Sequence, residues 1–68
     1  MPYSAKEVLR KLQKAGFSIK RQSGSHVVLR HPDKRQTYVS MHTKEVPLGT
    51  FKKILKQSGL TEEDFRDL

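Results

Sequence analysis

The chain contains no cysteine and no tryptophan, and only three prolines and four glycines among its 68 residues. Without cysteine it can form neither a disulfide scaffold nor a thiolate zinc site. Such a composition is typical of a reducing compartment, and we expect a cytoplasmic protein. The first residues are not followed by the apolar run of a signal peptide, and no stretch is apolar enough to cross a bilayer. We therefore expect no membrane partner.

Apolar residues are scarce as well, at 34% of the chain. The length suffices for one domain, residues 1–68, and a domain this small buries only about 60% of its unfolded surface. Its core supports two thin layers and leaves no room for a deep internal pocket. We therefore expect the function to reside on a surface.

Acidic residues are few, and most of them lie near the C-terminal end. Lys and Arg number 14 against 7 Asp and Glu, a net charge of +7. Residues 61–68 hold four of the acids and one base, so residues 1–60 carry 13 bases and 3 acids, a net charge of +10. This charge favours a polyanionic partner such as nucleic acid, although it could serve solubility alone.

The first helix is predicted for residues 4–15, where apolar side chains recur at helical spacing. Ser4 can cap its first turn, and Glu7 completes a capping box. Gly16 can adopt the left-handed conformation that ends a helix. The start and stop signals of this helix therefore agree.

Three short strands are predicted next, at residues 17–21, 26–30 and 37–41. A turn at Ser23-Gly24 separates the first two strands, and a turn at Pro32-Asp33-Lys34 separates the last two. Loops this short indicate an antiparallel meander.

A loop from Thr43 to Gly49 precedes a second helix, predicted for residues 51–58 with Thr50 as its cap. Lys52 and Lys53 would then lie in the first turn, where the helix dipole disfavours cations. A bound anion would offset this cost, and two solvated lysines are the equally weighted alternative.

The resulting order is α-β-β-β-α, followed by a short helical turn that Thr61 and Asp64 indicate. Two helices with one apolar stripe each can both cover one face of a three-stranded antiparallel sheet. This α+β order is that of the double-stranded RNA-binding fold, although a fold alone does not determine a function.

The other face of the sheet is expected to stay open. Strand side chains alternate between faces, and we expect the apolar residues, Ile19 and Met41 among them, to face the helices. The open face then carries Ser18, Lys20, His26, Val28, Arg30, Tyr38, Ser40 and His42. Phosphate would attract the cations of this set, and a base could stack on Tyr38.

The three histidines are scattered, and the sequence contains no metal-ligand spacing, glycine-rich phosphate loop or nucleophile elbow. Cleavage of RNA needs only a base, an acid and a stabilising cation, because the 2′-hydroxyl is an internal nucleophile. Histidine can act as base or acid near neutral pH. His26 is the best candidate because it follows a tight turn. We expect His31 to be structural, and His42 to be merely exposed, a phosphate contact or the second proton carrier.

Several motifs resemble the HicA toxins, in order and at matching spacing from the first helix to Phe65. They are Gly16-Phe17, Arg21-Gln22-Ser23-Gly24-Ser25-His26, Gly49-Thr50 and Ile54-Leu55-Lys56-Gln57-Ser58-Gly59-Leu60. The family often has a Pro-x-His step at the end of the third strand. This chain has Ser40-Met41-His42 there, which retains the histidine and lacks the proline.

The resemblance implies the double-stranded RNA-binding-like fold and a toxin that cleaves mRNA without a metal or cofactor and so blocks translation. The histidine of the family's Gly-Ser-His motif is catalytic and corresponds to His26. Each such toxin is encoded with a HicB antitoxin that covers its active site, so we expect a HicB-like partner. The expected RNA contacts are Lys20, Gly24, Ser25, Arg30, Tyr38, His42, Lys52 and Lys53.

Three other functions are compatible with parts of this pattern. A non-catalytic double-stranded RNA-binding module would use the same basic face and leave RNA intact. A small ribosome-associated protein would spread its charge over both ends of the chain. A DNA-binding module is the least favoured, because no helix-turn-helix spacing is present.

Overall fold

A computed structural model describes residues 3–42 and 44–68 and confirms the order α-β-β-β-α, followed by the expected short helix. The elements are α1 (Ala5–Lys14), β1 (Ser18–Ser23), β2 (His26–Arg30), β3 (Gln36–Ser40), α2 (Leu48–Ser58) and α3 (Glu62–Arg66). The strands form an antiparallel sheet in the order β1-β2-β3. Three residues lie outside the described ones: Met1, Pro2 and Thr43. The start of the predicted loop at Thr43 and the first residues of the segment in which we expect no signal peptide fall among them.

Both ends of α1 form as predicted. The Ser4 hydroxyl accepts a hydrogen bond from the Glu7 amide, and the Glu7 carboxylate accepts one from the Ser4 amide, each at 3.1 Å. Gly16 has a φ of +102°, and the amide of Phe17 donates to the Leu12 carbonyl at 3.0 Å. This six-residue closure satisfies a carbonyl that the helix end would otherwise leave unpaired.

The core lies between the sheet and the helices α1 and α2, as expected for two layers. On the covered face Val27 pairs with Val39, and Leu29 pairs with Thr37. All four are buried, and the hydroxyl of Thr37 donates to Gln57 of α2 at 2.8 Å. The buried apolar residues are Ala5, Val8, Leu12, Phe17, Val27, Leu29, Val39, Val46, Phe51, Ile54, Leu55 and Phe65.

The predicted start of the second helix is wrong. The helix begins at Leu48, and Pro47 is its N-terminal flanking residue, whose carbonyl accepts the first helical hydrogen bond from Phe51 at 2.8 Å. Thr50 is therefore inside the helix and does not cap it. Lys52 and Lys53 therefore lie beyond the first turn, where the helix dipole no longer disfavours cations, and they do not form the expected anion site at the helix start.

Ile19 lies on the face that the helices cover, as predicted, but it is not buried, because its exposed fraction is 44%. Ile19 pairs with Leu29 on the covered face, but β1 is an edge strand and all its residues are exposed. The register shifts between Ile19 and Arg21, which leaves Lys20 as the extra residue of a β-bulge. Arg21 thereby takes the position opposite Val28 on the open face.

The short helix α3 packs on the first helix, through Lys11. The Lys11 ammonium donates to the carbonyl oxygens of Phe65, Arg66 and Leu68 at 3.1, 3.4 and 2.9 Å. The ring of Phe65 lies 5.2 Å from that of Tyr3, measured between centroids. The acidic end of the chain is thus part of the folded unit.

Candidate active site and nucleic-acid interface

The open face of the sheet is built of three rows of residues that pair across the strands. Residues that pair in an antiparallel sheet share a face, so register alone defines the rows. They are Ser23-His26-Ser40, Arg21-Val28-Tyr38 and Ser18-Arg30-Gln36. The sheet therefore presents a histidine row at one end, an arginine and an aromatic ring in the middle, and a second arginine beyond them.

His26 occupies the first position of the central strand. The turn before it needs a left-handed residue, which Gly24 supplies with a φ of +57°. The Gly24 carbonyl accepts a hydrogen bond from the Gln22 side chain at 3.2 Å. The His26 side chain is exposed, as the alternation of the strand predicts. The expected register of this strand is therefore confirmed.

His42 lies beside His26, just after the end of β3. The ring centroids of the two histidines are 6.2 Å apart, and their planes meet at 71°. The His42 Nδ1 atom hydrogen-bonds two hydroxyls, that of Ser40 at 2.7 Å and that of Ser25 at 3.1 Å. The amide of Met41 donates to the Ser25 carbonyl at 2.6 Å, which ties the backbone before His42 to the turn before His26.

His42 also lines a surface cavity of about 370 Å³. The cavity is lined by Ser4, Ala5, Lys6, Met41, His42 and Lys44. The segment that carries Lys44 is joined to the start of α1, because the Val46 amide donates to the Tyr3 carbonyl at 2.8 Å. Two exposed lysines, Lys6 and Lys44, thus line the same cavity as His42.

The other predicted contacts are spread more widely. Tyr38 lies one row from His26 and is 54% exposed, so its ring is available for stacking. Arg30 lies one row further on, and Lys20 is the bulge residue of β1. Lys52 and Lys53 are exposed on α2, in the layer that covers the opposite face of the sheet. Their contact with RNA remains a prediction.

Two residues of the open face have roles that sequence reasoning does not reveal. Arg21 reaches this face only because of the bulge, which no local signal indicates. Ser40 lies on the open face as predicted, but its contact with His42 depends on the turn after β3. Both residues belong to rows that the pairing of the strands defines.

His31 has the structural role that we expect for it. Its ring packs on that of Phe17, with centroids 5.2 Å apart, and its Nδ1 atom lies 3.0 Å from the Asp33 carboxylate. Arg35 holds this turn by hydrogen bonds to Asp33, which lower the pKa of that carboxyl group from 3.8 to about 2. The Arg35 guanidinium also donates to the Ser58 carbonyl, so the turn is joined to α2.

Neither a metal cluster nor a membrane span is found in the part of the chain that the structure describes. Residues 3–42 and 44–68 contain no group of three or more potential ligands among His, Cys, Asp and Glu. Within the same residues, no helix combines the length and apolar character needed to cross a bilayer.

Comparison with models of protein families gives a match over most of the chain. The model of a protein family described as HicA toxin of bacterial toxin–antitoxin matches residues 5–60. The matched span includes α1, the whole sheet and α2. A search of curated proteins found no sequence that matches this chain.

Proposed function

The chain belongs to the HicA toxin family of bacterial toxin–antitoxin systems. We propose, from this membership and from the geometry of the open face, that the protein is a metal-independent endoribonuclease. In this proposal it acts as an mRNA interferase that cleaves mRNA in the cytoplasm and so blocks translation. The observation that carries the proposal is an exposed histidine, His26, at the head of a basic open sheet.

The open face offers what RNA cleavage requires. His26 can exchange a proton with the reacting groups, which is the part that general acid–base catalysis assigns to a histidine. Arg21 and Arg30 supply positive charge for the phosphates, with Lys20 beside them at the edge strand. Tyr38 offers a ring on which a base next to the cleaved bond can stack.

The proposed protein partner is a HicB-like antitoxin that covers the histidine row. Residues 1–60 carry a net charge of +10, so an antitoxin that presents carboxylates to the open face would meet complementary charge. Occupation of this face would exclude RNA by simple competition for the same surface. The toxin–antitoxin relationship itself follows from the family.

The experiment that tests the proposal is incubation of the purified protein with a long single-stranded RNA in excess EDTA. His26→Ala is compared with the wild type and with Gln36→Ala, an exposed residue at the far end of the same face. We expect the wild type and Gln36→Ala to cleave, and His26→Ala to lose at least about a hundredfold in rate. Its stability should change by no more than about 0.5 kcal/mol, as for other exposed side chains.

Two results would contradict the proposal. If the wild type binds the RNA in a gel shift and leaves it intact, both alone and with translating ribosomes, the chain is a non-catalytic RNA-binding module. If His26→Ala cleaves as fast as the wild type, the nuclease uses another residue.

A further inference from the structure

We infer that His42 is the second proton carrier of this site, and that it protonates the leaving 5′-oxygen while His26 accepts the proton of the 2′-hydroxyl. The inference rests on the proposed ribonuclease function and adds to it a residue and a role. It is drawn from the position of His42, the hydrogen bonds of its ring and the contrast with His26.

The two rings are placed to act on one phosphate. Their centroids lie 6.2 Å apart, and the planes are tilted by 71°. At this separation a nitrogen of each ring can hydrogen-bond a different oxygen of the same phosphate, since each such bond spans about 2.8 Å. In-line displacement at phosphorus needs a base on one side and an acid on the other, because the attacking and leaving oxygens lie on opposite sides of the phosphorus.

The hydrogen bonds of His42 fix its ring relative to His26. Both hydroxyls on its Nδ1 atom come from residues next to His26: Ser25 precedes it in the chain, and Ser40 pairs with it across the strands. The separation of the two rings is therefore determined by the sheet itself. With Nδ1 engaged, Nε2 is the nitrogen of His42 that can donate to a substrate.

The same hydrogen bonds favour the role of acid for His42. A protonated imidazole carries two N–H donors, and RNA displaces the water that would otherwise accept from them. In His42 a serine hydroxyl can accept from Nδ1–H while Nε2–H faces the leaving oxygen. No hydrogen bond to the His26 ring is found among the described residues, so a nitrogen of that ring is available to accept the proton of the 2′-hydroxyl.

The proposed reaction is balanced without any further reactant. His26 takes the proton of the 2′-hydroxyl, and the 2′-oxygen forms a bond to phosphorus. The bond from phosphorus to the 5′-oxygen breaks, and that oxygen receives the Nε2 proton of His42. The products are a 2′,3′-cyclic phosphate and a 5′-hydroxyl. Solvent then removes the proton from His26 and returns one to His42.

A sulfur substitution separates the acid from the base. A short RNA is made in which the 5′-bridging oxygen at a bond that the wild type cleaves is replaced by sulfur. A thiolate leaves without protonation, because thiols are far more acidic than alcohols. We expect His42→Ala to lose at least about a hundredfold on the oxygen substrate and to come within about tenfold of the wild type on the sulfur substrate. His26→Ala should stay inactive on both.

A second variant guards against damage to the fold. His42→Asn places an amide near the former Nδ1 position, where it can still meet the two hydroxyls, and it lacks the Nε2 proton. We expect His42→Asn to keep the stability of the wild type and to show the same selective recovery on sulfur. Recovery in both His42 variants would support the assignment.

The outcomes distinguish this inference from the proposed function. If the wild type cleaves no RNA, either alone or with translating ribosomes, the nuclease function fails and the inference fails with it. If the wild type cleaves and His26→Ala does not, but His42→Ala is as fast as the wild type on the oxygen substrate, only the role of His42 is overturned. Equal losses on both substrates would also overturn it, because His42 would then bind or position RNA without protonating the leaving group.

Discussion

The Nδ1 atom of His42 lies 2.7 Å from the Oγ atom of Ser40, and Ser40 is itself the cross-strand partner of His26. One hydroxyl thus relates the two histidines of the open face through the pairing of β2 with β3. Because β2 and β3 are part of the packed sheet, the backbone positions of His26 and Ser40 are fixed relative to each other. Ser40 is therefore expected to position the His42 ring and to take no part in the reaction itself.

Removal of this hydroxyl should slow the chemical step more than it weakens binding. We expect Ser40→Ala to lower kcat by about threefold to tenfold, the effect of one neutral hydrogen bond, with little change in KM. Ser40→Thr retains a hydroxyl at a strand position and should recover most of the rate. Steady-state kinetics on a defined RNA measure both quantities. Ser18→Ala, which removes an exposed hydroxyl from the third row, is the control; a matching effect there would show that Ser40 has no special role.

The bulge in β1 places Arg21 on the open face, where we expect it to contact phosphate. If Arg21 neutralises one phosphate, Arg21→Gln should reduce the slope of log affinity against log salt by about 0.7 for single-stranded RNA. Gel shifts at several salt concentrations in a His26→Ala background, which we expect not to cleave RNA, would measure that slope. Lys14→Gln removes an exposed charge from α1, on the other side of the sheet, and should leave the slope unchanged. Equal slopes for all three proteins would remove Arg21 from the interface.

Much of the fold could be predicted from local signals. The capping box of Ser4 with Glu7, the left-handed Gly16 and the cap of Thr61 with Asp64 each involve residues at most a few positions apart. The alternation of β2 is equally informative, because a central strand has a covered face and an open one. This alternation alone predicts that His26 lies on the open face.

The remaining features depend on distant parts of the chain. Nothing in residues 17–21 signals the bulge, since it follows from how an edge strand pairs with β2. The contact of His42 with Ser25 joins two turns that are 17 positions apart in the chain. Lys11 is of a residue type that is rarely buried, yet it is only 7% exposed. Its partners are residues 54 to 57 positions away.

Gly16 should be intolerant of a side chain, although alanine is otherwise favoured near helices. Its φ of +102° disfavours any residue with a Cβ atom, and a Cβ placed there would lie 2.9 Å from the Nε2 atom of His31. We expect Gly16→Ala to lower the free energy of unfolding by at least about 1 kcal/mol.

Gly49→Ala is the matched control, because Gly49 lies within α2 and an added Cβ meets no described atom within 4 Å. That variant should gain about 0.5–1 kcal/mol. Urea denaturation distinguishes the two, and a loss in both would contradict the account.

Lys11 is expected to hold α3 on the rest of the fold. Its ammonium reaches three carbonyl oxygens at the end of α3, and its burial means that water cannot replace those hydrogen bonds without local opening. Lys11→Met keeps the length and the apolar part of the side chain but removes the charge and the donors. We expect it to lower the free energy of unfolding by about 1.5–3 kcal/mol, the range for hydrogen bonds to a charged group. Hydrogen exchange of the α3 amides should also speed up selectively.

Lys14→Met, at an exposed position of the same helix, is the control and should change neither the free energy of unfolding nor the exchange of the α3 amides. Because Phe65 is fully buried, the opposing view is that its ring alone holds α3; in that case Lys11→Met would match Lys14→Met in stability and in exchange.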